Sequence, residues 1–226
     1  VKPLRTLVVS SVLILALQIS AHADTILLGS YGTGAANPGV INTAVLYSPA
    51  TSTVNTGSTI TYNISPDAIW HAALPNSSYI SFDPDTAPGG SYVAPNGDYF
   101  YSVAFTLTSE MASAGVGTIT VLADDTVAIT LNGGLLLAAA SPMGASNDYS
   151  HCSNTGPNCI TPTTVSLSGL VAGTNLLTFD VKQVNLGQEG LDFTGFISQV
   201  PEPTSLALFG TGLLGVVSLM HRRYYV

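Results

Sequence analysis

The chain has 226 residues, with 13 acidic residues against 5 Lys and Arg, a formal net charge of −8, and only 8% charged residues. Nucleic-acid binding relies on Lys and Arg displacing counterions from phosphates, so nucleic acid is excluded as a partner. Charge this sparse leaves solubility to Ser, Thr, Asn and Gly, a composition suited to strand-rich exported domains.

Residues 1–23 open with Lys2 and Arg5, continue through an apolar run from Leu7 to Leu17, and close on Ala21-His22-Ala23. A basic n-region, a short h-region and small residues at −3 and −1 predict a signal peptide cleaved after Ala23, with Ala21 and Ala23 as the cleavage residues. Residues 24–199 then form one body, long enough for a sizeable core. It holds twelve acidic residues against a single basic one, Lys182.

Along the body the hydrophobic period is two rather than 3.6. From Tyr99 to Thr108 the odd positions are apolar or aromatic, and the even ones mostly small or polar. Ile119 and Val121 alternate with Thr118 and Thr120; Val127, Ile129 and Leu131 alternate with Thr126, Ala128 and Thr130. Asp124-Asp125 between these runs reads as a tight hairpin turn, and Asn132-Gly133-Gly134 turns the chain again. Pro142 to Thr164 is the longest stretch without a strand pattern. Leu177, Phe179 and Val181, then Leu191 and Phe193, resume the alternation. Many short strands with Pro, Gly, Asn and Asp between them predict an all-β fold, an antiparallel β-sandwich, without interspersed helices.

Cys152 and Cys159 bracket a turn-rich octapeptide in an exported chain, which predicts one disulfide. Six intervening residues are too many for a Cys-x-x-Cys redox motif, and no second pair completes a zinc site. Asp83, Asp85, Asp124 and Asp125, with Asp98 and Asn96, offer oxygen ligands of the kind Ca²⁺ takes, and the same residues serve turns. No cofactor is assigned; a structural Ca²⁺ stands as the one metal candidate. Trp70, Tyr79, Tyr92 and Tyr149 are the candidate sugar platforms, with Trp70 read as core and Tyr92 and Tyr149 as the surface members. His71 and His151 are the body's histidines, and no nucleophile elbow, H-E-x-x-H or phosphate loop accompanies them, so no catalytic residue is assigned.

Val200-Pro201-Glu202-Pro203 precedes an apolar run, residues 204–220, of about 25 Å as a helix, at the short edge of what crosses a bilayer. Arg222 and Arg223 close it as a cytoplasmic basic stop. Gly210-Thr211-Gly212-Leu213-Leu214-Gly215 matches a dinucleotide-binding fingerprint but lacks the preceding strand and the acidic residue further on. Residues 200–226 therefore predict a tail with a single, marginal transmembrane helix.

Pro201-Glu202-Pro203, the short helix and the Arg pair, in that order, resemble the PEP-CTERM proteins of Gram-negative bacteria. Their tail is also described as an ice-binding protein C-terminal domain, a label that implies nothing for this body. The resemblance implies export through the inner membrane, transient anchoring, and recognition by an exosortase-type protease that processes near Pro201-Glu202-Pro203. Release to the cell surface or medium follows, often alongside exopolysaccharide.

The body is similar to a jelly-roll, galactose-binding-like β-sandwich recurrent in such proteins. The matching stretches are Trp70, Tyr79–Asp83, Leu131-Asn132-Gly133, Gly173–Phe179 and Gly190–Phe193. Together these readings give a surface or matrix protein of structural or binding role and not an enzyme. A carbohydrate-binding module for exopolysaccharide is the alternative, and a secreted hydrolase comes third.

Overall fold

The computed structural model describes residues 24–30, 37–87, 89–141, 156–184 and 186–199, with Gly210, Gly212, Leu214, Gly215, Val217 and His221 of the tail. Residues 25–199 form one unit, described here by itself. The signal peptide with Ala21 and Ala23, Tyr149, His151, Cys152, Pro201-Glu202-Pro203 and Arg222-Arg223 lie outside the described residues. The six described tail residues are helical and exposed. Among the described residues no helix is long and apolar enough to cross a membrane, and most of the predicted span 204–220 is not among them.

Period-two alternation lays down strands whose inward faces meet. In chain order these are β1 (Thr25–Gly29), β2 (Ile41–Asn42), β3 (Leu46–Tyr47), β4 (Thr61–Asn63), β5 (Ile80–Ser81) and β6 (Gly97–Leu107). After helix α1 (Ser109–Ala114) come β7 (Gly115–Asp124), β8 (Thr126–Leu131) and β9 (Gly134–Leu137). Strands β10 (Thr163–Ser166), β11 (Gly173–Gln183) and β12 (Gly190–Gln199) complete the body. One sheet runs β10-β7-β12-β5-β4-β2, with β1 also paired to β12, and the other runs β3-β6-β11-β8-β9. Every pairing is antiparallel. The expected antiparallel β-sandwich is the fold.

The core lies between the sheets. Tyr99 and Tyr101 of β6, Val127 and Ile129 of β8, and Leu177, Phe179 and Val181 of β11 are fully buried from one side. Ile119 and Val121 of β7 and Leu191 and Phe193 of β12 meet them from the other. Phe179 and Phe193 join the two sheets with ring centroids 4.4 Å apart. Burying aromatic side chains of this size is the largest favourable contribution available to a body with so few charges.

A second, smaller cluster covers the outward face of the larger sheet. Trp70 lies 4.9 Å from Tyr79, centroid to centroid, and both pack with Ile64, Leu74, Leu122 and Cys159. Trp70 is thus core, as its apolar neighbours predict.

Two local expectations are corrected. Asp124-Asp125 does not make a hairpin: β7 belongs to the larger sheet and β8 to the smaller one, so the chain crosses between sheets there. Alternation reports which face a residue takes but not which sheet a strand joins. A helix also interrupts the strands. Thr108 caps α1, its Oγ1 accepting from the Met111 N–H, and the turn carries the chain from β6 in one sheet to β7 in the other. At the β8–β9 turn, by contrast, Asn132 and Gly133 take positive φ, as a two-residue hairpin of this type requires.

Candidate functional site

Register places several strand ends together. Gln183 at the end of β11 faces Gly97 at the start of β6, and Lys182 faces Thr126 at the start of β8. In the other sheet Gly190 at the start of β12 faces Asp124 at the end of β7. The loops before β6, between β7 and β8, and between β11 and β12 therefore gather at one end of the sandwich.

They enclose a cavity of about 170 Å³ whose polar lining includes Tyr92, Asp124, Asp125, Gln183 and Gln188. That is smaller than the pockets that enclose drug-sized ligands, so it suits one small residue or head group rather than a length of chain.

Each wall is held by hydrogen bonds. Asp124 accepts from Trp70 Nε1 at 2.8 Å, which ties the cavity to the outer cluster. Asp125 accepts from the Val184 N–H at 2.7 Å, and its own N–H donates to Lys182 O at 3.0 Å. Ala94 N–H donates to Gly187 O at 2.9 Å, fastening the loop before β6 to the loop before β12. Tyr92 packs edge-on against Phe82, with centroids 5.6 Å apart, and stays half-buried.

The carboxylates here are buried, and this governs their charge. Asp124 and Asp125 are 7% and 4% exposed. Burial, and then the neighbouring Asp125, holds the Asp124 carboxyl well above the usual range. Glu189, adjacent to the cavity wall in sequence, is fully buried. It accepts from Ser81 Oγ at 2.5 Å and from Tyr101 Oη at 2.8 and 2.9 Å. Burial pushes Glu189 up to about 8, with those two hydroxyls acting in the opposite direction. The same carboxyl also pushes Tyr101 up, after burial itself.

The predicted oxygen ligands do not converge. Asp83 Oδ1 accepts from Asp85 N–H at 2.9 Å in a turn of its own, and Asn96 Oδ1 accepts from Leu186 N–H at 2.7 Å. Asp98 pairs with Lys182 at 2.7 Å. Among the described residues no group of three or more His, Cys, Asp or Glu could hold a metal ion. Of the candidate platforms, Tyr79 is fully buried and Trp70 is 6% exposed, which leaves Tyr92 facing the cavity. His71 is exposed, with Nδ1 2.6 Å from the Ala72 carbonyl oxygen.

Gln183, Gln188 and Glu189 were missed by sequence reasoning. The signal that marks them is their place, bracketing the gap between two long alternating strands.

Two of the resemblance stretches, Leu131-Asn132-Gly133 and Gly173–Phe179, meet in space at the opposite strand ends. Asn132 Nδ2 donates to Asn175 Oδ1 at 2.9 Å, and Leu176 N–H donates to Asn132 Oδ1 at 2.9 Å. This arrangement fastens the β8–β9 turn to β11.

Several solved structures are similar to this chain. A family 35 carbohydrate binding module from Clostridium thermocellum is 10% identical, with TM-score 0.34, covering 76% of this chain and 97% of that one. A CBM35 from Cellvibrio japonicus Abf62 is 10% identical, with TM-score 0.32, covering 79% and 96%. A β-glucuronidase from Ruminococcus gnavus in complex with uronic deoxynojirimycin is 9% identical, with TM-score 0.36, covering 77% of this chain and 29% of that one. At these identities and TM-scores the likenesses say nothing of ligand or reaction. No curated protein matches the chain. Residues 199–223 match the PEP-CTERM protein-sorting motif, and the chain therefore carries that motif at its C-terminal end.

Proposed function

We propose that this is an exported protein, sorted through its tail by an exosortase-type protease, whose body has a non-enzymatic structural or binding role at the cell surface or in the extracellular matrix. The observation that carries this reading is the match of residues 199–223 to the sorting motif. In this account residues 1–23 direct export, with cleavage at Ala21-His22-Ala23. Residues 204–220 anchor the precursor transiently in the membrane, Arg222 and Arg223 hold its end in the cytoplasm, and Pro201-Glu202-Pro203 marks the processing region. Cys152 and Cys159 pair in the oxidising compartment. Glu202→Ala in the native host tests the reading: full-length precursor accumulates in the membrane fraction. Unchanged release into the medium would refute it.

A second reading is favoured by the cavity. A half-buried aromatic ring beside carboxyl and amide groups is the chemistry that holds a sugar residue: an apolar face with few, well-placed polar partners. The body would then attach to exopolysaccharide. Saturable binding of the purified full chain to a polysaccharide, lost in Tyr92→Ala, tests this. Equal retention of the variant would count against the cavity as the site.

A further inference from the structure

We infer that the body docks on a lipid bilayer through an apolar patch of Leu27, Phe196 and Val116, at the end where its first and last strands meet. This rests on the membrane reading of the tail proposed above and extends it to the body.

The first ground is the patch itself. Leu27 of β1 stands opposite Phe196 of β12, and Ser198, two residues further on, stands opposite Val116 of β7. On the same three strands Ile26, Ile197 and Ile119 turn to the core, so the period of two directs the patch residues outward. Leu27, Phe196 and Val116 are 65%, 43% and 56% exposed. Single apolar residues are ordinary on a surface, but three on adjacent strands make a continuous patch, which marks an interaction site. Val171, in the loop before β11, is also exposed at this end.

The second ground is where the chain leaves the body. Thr25 pairs with Ser198, so the body's points of entry and exit lie side by side at the patch end. The predicted span begins at Thr204, and residues 200–203 before it extend at most about 14 Å. A bilayer that holds that span lies within that reach of Gln199.

The third ground is charge. Asp98, Asp124, Asp125, Asp180 and Glu189 lie at or near the strand ends around the cavity, at the opposite end of the sandwich. Among the described residues, Asp24 and Glu110 are the acidic residues of the patch end. An anionic head-group surface repels the acidic end and leaves the apolar end to meet the lipid. A second copy on the patch would give this polarity no role.

Trp70 is the only tryptophan of the chain, and it is buried at the far end against Asp124, so it supplies a constant background emission. The test reconstitutes the full chain in vesicles of phosphatidylcholine and phosphatidylglycerol, with or without bromine on the acyl chains. It compares wild type with Leu27→Trp, Phe196→Trp and Val93→Trp, each fold being checked by circular dichroism. Val93 is as exposed as the patch but lines the cavity. Bromine is expected to quench the emission added at positions 27 and 196, and to leave wild type and Val93→Trp unchanged. Chains that float with the vesicles but are quenched at none of these positions would overturn the docking inference and leave the tail reading standing. Equal quenching at positions 27 and 93 would overturn it too, since neither end would then be preferred. Emission at position 27 that follows the protein-to-lipid ratio and ignores bromine would give the patch to a second copy instead. Failure of the full chain to float with the vesicles would overturn both readings.

Discussion

Replacing Glu189 by Gln should stabilise the body increasingly as pH rises. Glu189 is fully buried with two hydroxyl partners, Ser81 and Tyr101, and burial places its native value at about 8 against an ordinary 4.5. Between those values the native state holds a proton that the unfolded chain releases. Stability attributable to this group therefore falls with rising pH, and the loss is complete above the native value. At 1.36 kcal/mol per pH unit the whole loss comes to about 5 kcal/mol. Glutamine has nearly the shape of the protonated acid and cannot ionise. Its Oε1 accepts from one hydroxyl, and its Nε2 donates to the oxygen of the other.

Urea unfolding of wild type and Glu189→Gln from about pH 5 to about pH 9 measures the difference. The two curves should lie close together at the acid end and separate by several kcal/mol at the alkaline end. Parallel pH profiles would refute the reasoning, because they would mean that Glu189 ionises in the folded body as readily as in the unfolded chain.

Other substitutions probe the layers around the cavity. Trp70→Phe keeps a ring against Tyr79 but removes the donor to buried Asp124, and should lower stability by about 1–3 kcal/mol in a thermal melt. Gly195→Ala sets a methyl against the Thr118 carbonyl oxygen of the paired strand, and should cost about 1–3 kcal/mol or more by the same measurement. Exported material digested without reductant should yield the Cys152–Cys159 peptide about 2 Da lighter than after reduction, and free thiols there would contradict the pairing.

Much of the sandwich is legible in the sequence, because alternation encodes burial directly. Tyr99, Tyr101, Val127, Ile129, Leu177 and Phe179 all point inward, as their spacing predicts. The crossover at Asp124-Asp125 was not legible, since a two-residue polar break looks the same whether the next strand folds back or changes sheet.

Asp192 shows a second limit. It alternates with Leu191 and Phe193 and does face outward, yet it is fully buried because residues 64–79 lie over that face. Ser30 Oγ donates to it at 3.0 Å and Leu74 N–H at 2.7 Å. A period of two separates the faces of a sheet but does not say which loop will cover one of them. The cavity was hidden for the same reason, because its walls come from three separate loops, around residues 87–93, 124–125 and 183–188. The sorting motif needs no fold to be seen, since order and spacing along the chain are all it consists of.

The most direct test of the account is the intact mass and C-terminal sequence of the protein recovered from the host's surface or medium. The account predicts a product that begins near Asp24, ends close to Pro201-Glu202-Pro203, and lacks the apolar run and Arg222-Arg223. A product that retains those two arginines, or a full-length chain confined to the cytosol, would contradict it.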